Sequence, residues 1–240
     1  MAIELPGEVV SLLSFIGINW PTVNEDKVRE FASHVREFAE SVESAHRDST
    51  ATVHALGEAY EGASYEALLA KWSQVSDAHF DELVRACHVV ATALDVAAGV
   101  IVAMKIETIA ELVVLAVALV ADQAAAVATF GLAEAAVIAI EEAGKRLVNA
   151  LEQQLEQYVI GQVIEAAINP LVDVVAGAVA GLVFKGAESA LGVSGGGGGT
   201  GFRIDPQALE THAQAMHQHA ETVAGHAQAF QTKIAGVSFE

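Results

Sequence analysis

The chain has 240 residues, 53% of them hydrophobic, and a formal net charge of −19 from 12 Lys and Arg against 31 Asp and Glu. Such an acidic surface repels phosphate backbones and anionic lipid headgroups, which argues against nucleic acid as a partner. The single cysteine, Cys87, excludes an intrachain disulfide. Only four prolines occur, and no stretch alternates apolar and polar residues, so the sequence predicts an all-α fold.

The N-terminal part predicts a short helix followed by a long one. Residues 7–16 form the first helix, and Gly17 ends it. Thr22 and Glu25 have the spacing of a capping box, so the second helix is predicted to begin there. Its apolar positions advance in alternating steps of three and four, as in a helix that packs lengthwise on another. These positions are Val28, Phe31, Val35, Phe38, Val42 and Ala45.

The segment Tyr60-Glu61-Gly62 interrupts this pattern and predicts a turn. Gly62 can adopt the backbone conformation with which helices commonly end. The helix after the turn carries the apolar residues Leu68, Leu69, Trp72, Val75, Phe80, Leu83, Cys87 and Val90. Two long helices joined by a tight turn make an antiparallel hairpin, which we predict over residues 22–104.

Residues 105–193 are predicted to be an Ala/Val-rich helical bundle that packs with the hairpin and completes a domain of residues 1–193. Its charge-free stretches are much shorter than the ~20 residues that a membrane-spanning helix needs. Core helices buried on most sides are therefore the favoured interpretation. The alternative is a channel or pore-forming domain whose apolar helices insert into a membrane, with their acidic residues facing a lumen.

The C-terminal part predicts a tethered helix. Residues 194–204 include five consecutive glycines, which is typical of a flexible linker. In residues 205–240, Asp205 and Pro206 open an amphipathic helix as its N-cap and first residue. The seam of this helix repeats every seven residues and consists of Leu209, Met216, Val223 and Phe230. An isolated helix of this length is marginal, so the seam is expected to pack on the bundle or on another chain, as a homo- or hetero-oligomer.

The sequence predicts no catalytic, cofactor or metal site. His212, His219 and His226 also repeat every seven residues, which puts neighbours about 10 Å apart, too far for one zinc ion. We interpret them as a polar flank of the seam, with a pH response of that seam as the alternative. Cys87 is expected to be a small buried side chain. No dinucleotide fingerprint, phosphate loop or nucleophile elbow occurs, so the protein is predicted not to be an enzyme.

The capped helix, the aromatic-x-Gly turn and the second helix resemble the WxG helical-hairpin superfamily of type VII (ESX) secreted proteins. Tyr60-Glu61-Gly62 stands where that superfamily has Trp-x-Gly. The wider order is a Trp20-Pro21 start, the hairpin, the Ala/Val-rich region, the glycine linker and the Asp205–Leu209 motif. It is similar to the N-terminal domains of actinobacterial polymorphic toxins, the group that includes the mycobacterial outer-membrane channel and necrotizing-toxin protein.

The resemblance implies a targeting and scaffold domain that passes from the cytoplasm to the cell envelope or the exterior without a signal peptide. It implies that type VII machinery or a partner helical hairpin recognises Tyr60 and Gly62 in the turn. Trp20 and Trp72 are further candidates for recognition, with core anchoring as the alternative. None of the three tyrosines has an acidic residue four positions later, as the family's export motif requires. Either a partner chain supplies the signal, or the export that the resemblance implies does not take place.

Overall fold

The computed structural model describes residues 3–75, 80–129, 134–173, 175–176 and 203–239. Within these residues the fold is all-α apart from one pair of two-residue strands, which confirms the predicted fold class. The elements in chain order are α1 (Gly7–Ile16), α2 (Glu25–Ala59), β1 (Tyr60–Glu61), α3 (Ala63–Val75), α4 (Asp81–Thr129), α5 (Glu134–Tyr158), a π-helical segment (Val159–Ile168), β2 (Arg203–Ile204) and α6 (Pro206–Ala235).

The elements form two compact units, each built from separate stretches of the chain. Unit 1 contains Met1–Glu30, Ala93–Ala166 and Ser238–Glu240, and unit 2 contains Phe31–Thr92 and Ala167–Val237. Helices α2 and α4 contribute residues to both units. The predicted linker lies largely outside the described residues, because 177–202 are not among them.

Helix α1 has the bounds that the sequence predicts. Gly17 takes the left-handed conformation, with φ 69°, and its N–H donates to the carbonyl of Leu13. The N–H of Ile18 donates to the same carbonyl at 3.1 Å. A residue without a Cβ takes this conformation at little cost, and the two bonds satisfy a carbonyl that the end of the helix leaves open.

The core of unit 1 joins α1, α4 and α5. Its buried members are Val9, Leu12, Leu13, Ile16, Leu112, Ala116, Leu119, Ile140 and Val148. Trp20 is partly buried and packs against this cluster. A Cβ on Gly144 would lie 3.0 Å from Cδ1 of Ile16, so α1 and α5 approach closely at that glycine.

The start of α2 differs from the prediction. The helix begins at Glu25, and the Asn24 side chain caps it by accepting a hydrogen bond from the N–H of Asp26 at 2.9 Å. The predicted capping box of Thr22 and Glu25 is therefore wrong. The Glu25 carboxylate is engaged elsewhere, because it accepts hydrogen bonds from the N–H of Ile3 at 2.9 Å and from Lys105 Nζ at 2.6 Å.

Glu25 and Lys105 form a buried ion pair in unit 1. The side chain of Glu25 is fully buried, and that of Lys105 is 5% exposed. Lys105 also donates to the carbonyl of Val23. Burial opposes ionisation of Glu25, but the bond from Lys105 and the backbone N–H groups outweigh it and hold the pKa of the carboxyl below its ordinary value. The pair thus ties the start of α2 to α4 at a point that local sequence patterns do not reveal.

Unit 2 contains the part of the predicted hairpin that surrounds the turn. Residues late in α2 contact residues early in the second arm, and residues early in α2 contact residues late in it, as the antiparallel arrangement requires. The pairs are the carbonyl of Val53 with Tyr65, Thr50 with Trp72, His46 with Phe80, and Arg36 with the carbonyl of Ala91. In the second arm, α3 is described to Val75 and α4 from Asp81, and residues 76–79 of the predicted helix lie outside the described residues.

The expectation that the apolar helices are buried on most sides is wrong for α4 in unit 1. Leu112, Ala116 and Leu119 are buried, whereas Val114, Val117 and Val120 are each at least 60% exposed. A helix packed along one face leaves the opposite face in water, whatever its composition. Among the described residues, none of the helices combines the length and the apolarity needed to cross a membrane.

Candidate recognition site at the hairpin turn

The turn between the two arms of the hairpin has a glycine-dependent geometry. Helix α2 ends at Ala59, and α3 begins at Ala63. Between them, Gly62 has φ 152°, a positive value that residues with a side chain rarely adopt. Its carbonyl accepts hydrogen bonds from the N–H groups of Tyr65 at 3.0 Å and Glu66 at 3.3 Å, so Gly62 also starts α3.

The chain's own C-terminal segment pairs with this turn. In the antiparallel pair of β1 and β2, Tyr60 lies opposite Ile204, and Glu61 lies opposite Arg203. The N–H of Asp205 extends the pairing by donating to the carbonyl of Ala59 at 2.8 Å. Tyr60 is half-buried, and Glu61 is exposed. The backbone of the turn is therefore held in an extended conformation while part of the tyrosine stays accessible.

Tyr65 closes the turn from inside the hairpin, a role that sequence reasoning missed. Its hydroxyl donates to the carbonyls of Val53 and His54, both at 3.3 Å. A Cβ on Gly57 would lie 2.5 Å from this hydroxyl, so only glycine leaves room for the ring at that position. The signal in the sequence was Gly57 itself, a residue that is unfavourable inside a helix and needs a packing reason there.

Trp72 joins the two arms of the hairpin. Its indole Nε1 donates to Thr50 Oγ1 at 3.1 Å, and its ring lies 6.2 Å from that of Phe80, in a tilted arrangement. His46 stacks on Phe80 with ring centroids 4.6 Å apart. Trp72 is half-buried, and these contacts give it an anchoring position between α2, α3 and α4.

The four residues singled out for recognition are distributed over both units. Tyr60, Gly62 and Trp72 belong to unit 2, and Trp20 belongs to unit 1. Trp20 contacts the core of unit 1 and is partly buried. The structure therefore brings Tyr60 and Gly62 together in one turn, and it gives each tryptophan a packing contact.

Helix α6 packs on α2 within unit 2. Asp205 caps α6 by accepting hydrogen bonds from the N–H groups of Gln207 and Ala208, both at 3.1 Å, and Pro206 is the first helical residue. Of the seam, Val223 and Phe230 are buried, whereas Leu209 and Met216 are half-buried. The ring of Phe230 stacks on that of Phe38, with centroids 4.6 Å apart and an angle of 17° between the rings.

Polar contacts border this seam. Thr52 Oγ1 and His219 Nε2 are 2.9 Å apart, and Lys233 donates a hydrogen bond to Glu37. That bond and the nearby positive charge lower the pKa of the Glu37 carboxyl below its ordinary value. His212 and His226, like His219, are half-buried. The predicted position of these histidines beside the seam agrees with this geometry.

The described residues contain no group of three or more His, Cys, Asp or Glu side chains that could hold a metal ion. Cys87 is buried, and burial raises the pKa of its thiol to about 12. A thiol in that state is a poor nucleophile at neutral pH.

The family model of the WXG100 like domain matches residues 3–146. The match covers more than half of the chain, including all of the hairpin turn, and the protein belongs to this family of helical proteins associated with type VII secretion. Comparisons with curated proteins and with solved structures found no match. The family assignment thus agrees with the WxG resemblance of the sequence.

Proposed function

We propose that the chain is a non-enzymatic targeting and scaffold domain of a type VII secretion substrate, and that it is the N-terminal part of a polymorphic toxin. In this proposal the hairpin presents the Tyr60-Glu61-Gly62 turn to the secretion machinery or to a partner hairpin. The observation that carries the proposal is the aromatic-x-Gly turn at the tip of an antiparallel hairpin in a chain of the WXG100-like family.

The geometry of the turn supports recognition because the turn is preorganised. The positive φ of Gly62 fixes the direction in which the chain leaves α2. The pairing of β1 with β2 holds the backbone of Tyr60 and Glu61 extended, so a partner would pay little conformational entropy to bind it. A half-buried tyrosine offers a large apolar surface with a polar hydroxyl, a combination that is enriched where proteins contact each other.

Export provides the test. In a host that exports the wild-type chain through its type VII system, Tyr60→Ala should reduce the chain in the culture medium at least tenfold while the cytoplasmic amount is maintained. Tyr158→Ala is the matched control, because Tyr158 is also half-buried but lies in α5 of unit 1. Tyr60→Trp, which introduces the family's residue, should preserve export.

Circular dichroism of the purified variants would verify that each remains helical. Export of folded Tyr60→Ala at the wild-type level would contradict the role of the turn. Export of the wild-type chain from a strain that lacks the type VII ATPase would contradict the proposed route.

A further inference from the structure

Helix α4 carries an apolar seam on the side opposite its core contacts in unit 1. On the core side, Leu94, Ile101 and Leu112 are fully buried. On the other side, Val96, Ile106, Val117 and Val120 are between 55% and 67% exposed. We define the outer seam as Val96, Ala103, Ile106, Ala110, Val117 and Val120, all of which are exposed.

The outer seam has the spacing of a coiled-coil interface. With Gly99, which is exposed, and Val113, which is half-buried and also packs against the core of unit 1, the positions from Val96 to Val120 advance in strict steps of three and four. Such a repeat keeps one stripe of a helix facing a second helix, with side chains that fit between those of the partner. At ~1.5 Å per residue the stripe is roughly 36 Å long, enough to contact about three heptads of a partner helix.

The charges that α4 itself carries beside the outer seam have one sign. Asp95, Glu107 and Glu111 are exposed on this part of α4. The one basic residue between Ala93 and Thr129 is Lys105, which is buried in the ion pair with Glu25. Charges that flank a coiled-coil seam determine the choice of partner. A helix with acidic flanks would be repelled here, and one with basic flanks would be attracted.

We propose that the outer seam of α4 is a docking surface for an amphipathic helix from another protein, whose apolar stripe is flanked by Lys or Arg. This inference goes beyond the proposed function, because it assigns a second contact surface in unit 1, whereas the turn belongs to unit 2. A membrane is the weaker fit to the same surface, since exposed carboxylates border the seam and the chain carries a net charge of −19.

The test uses the full-length chain and two fluorescent synthetic peptides of four heptads. Both peptides carry Val or Ile at the seam positions, and they differ only in having Lys or Glu at the flanking positions. Fluorescence anisotropy at 50 mM salt should show that the Lys peptide binds at least tenfold more tightly than the Glu peptide. The difference should shrink at 0.5 M salt, because screening weakens the contribution of exposed charges.

Two matched variants locate the binding surface. Ile106→Asp places a charge in the middle of the outer seam, and Ile138→Asp places the same charge on α5, at a side chain that is 51% exposed against 55% for Ile106. Ile106→Asp should weaken binding of the Lys peptide at least tenfold, and Ile138→Asp should change it less than twofold. Because both side chains are exposed, both variants should keep the wild-type circular dichroism spectrum.

Other occupants of the seam would give other results. If the Lys peptide bound only after residues 177–202 had been deleted, the seam would be covered within the chain, and the proposal would be wrong. Binding to phosphatidylcholine vesicles that Ile106→Asp abolishes would overturn it in favour of a lipid surface. Equal loss of peptide binding in both variants would show that the outer seam is not the specific binding surface and would also overturn it. None of these results depends on export, so the peptide experiment can contradict this proposal without contradicting the proposed function, and the export experiment can do the reverse.

Discussion

In unit 2, helix α2 packs against two parts of the chain. Thr50 and His46 contact the second arm of the hairpin, and Phe38 contacts α6. In unit 1, helix α4 has its core contacts on one face, and the outer seam on the other face is exposed. Both helices carry apolar residues in steps of three and four. The difference teaches that such a repeat identifies a surface suited to a helix without determining whether the same chain supplies that helix.

The distribution of charge follows the same division. The α6 seam in unit 2 has polar partners of both signs, including Lys233 with Glu37. The exposed charges that α4 itself carries beside the outer seam are acidic, because Lys105 is buried.

The largest expected effect is at the filled seam. Phe38→Ala should destabilise the protein by about 3–5 kcal/mol, because it removes a ring that is 4% exposed and stacks on Phe230. Urea denaturation followed by circular dichroism measures the change. Phe15→Ala in unit 1 is the control, since that ring is 49% exposed, and it should have a small effect. A wild-type midpoint for Phe38→Ala would show that α6 does not pack on α2.

A double-mutant cycle with Phe230→Ala sharpens this result. The two rings should show a coupling free energy of about 0.5–1.5 kcal/mol, as expected for a stacked aromatic pair. Additive effects would mean that each ring packs independently.

The next effect concerns the ion pair of unit 1. Lys105→Met should destabilise the protein by about 3–5 kcal/mol, because it leaves the buried Glu25 carboxylate without its partner. Adding Glu25→Gln to Lys105→Met should restore most of that loss, since no buried charge then remains. Lys145→Met is the control, because the side chains of Lys145 and Glu141 are 42% and 36% exposed and their pair is far less buried. If the double variant were no more stable than Lys105→Met, hydrogen-bond geometry would matter more than charge.

Acid should weaken unit 1 through the same pair. The pKa of Glu25 is lower in the folded protein than its ordinary value of 4.5. The stabilisation is therefore fully present above pH 4.5 and is lost as the pH falls towards the folded pKa. Stability measured from pH 7 to pH 3 should fall more steeply in the wild type than in Glu25→Gln. Parallel curves for the two proteins would exclude this contribution.

The smallest effect is expected at the edge of the α6 seam. Lys233→Ala should leave the melting temperature unchanged within error at 0.15 M salt, because Lys233 and Glu37 are about half exposed and exposed ion pairs contribute little. A clear decrease would show that the polar flank, and not only the Phe38–Phe230 stack, holds α6 on α2.

Several features of the candidate site follow from local sequence. The aromatic-x-Gly pattern identifies Tyr60 and Gly62 as a turn because a positive φ favours glycine. The pairing of this turn with Arg203 and Ile204 had no sequence signal. A two-residue strand is too short to show alternation, and its partner is far away in the chain. The position of Tyr65 was missed because its contact with Gly57 is made through space, between different helices.

The sequence by itself determined where α1 ends and where α6 begins. Gly17 caps the C-terminus of α1 and Asp205-Pro206 opens α6, and each acts on backbone groups within one helical turn. It also determined the all-α class and the repeat of the α6 seam. Only the tertiary structure decided that Glu25 pairs with Lys105, 80 residues away, instead of forming a capping box. It likewise decided that α6 packs on α2 and that the outer seam of α4 is exposed. The physical reason is that caps are satisfied by near neighbours, whereas ion pairs and apolar seams are satisfied by whichever surface the fold brings to them.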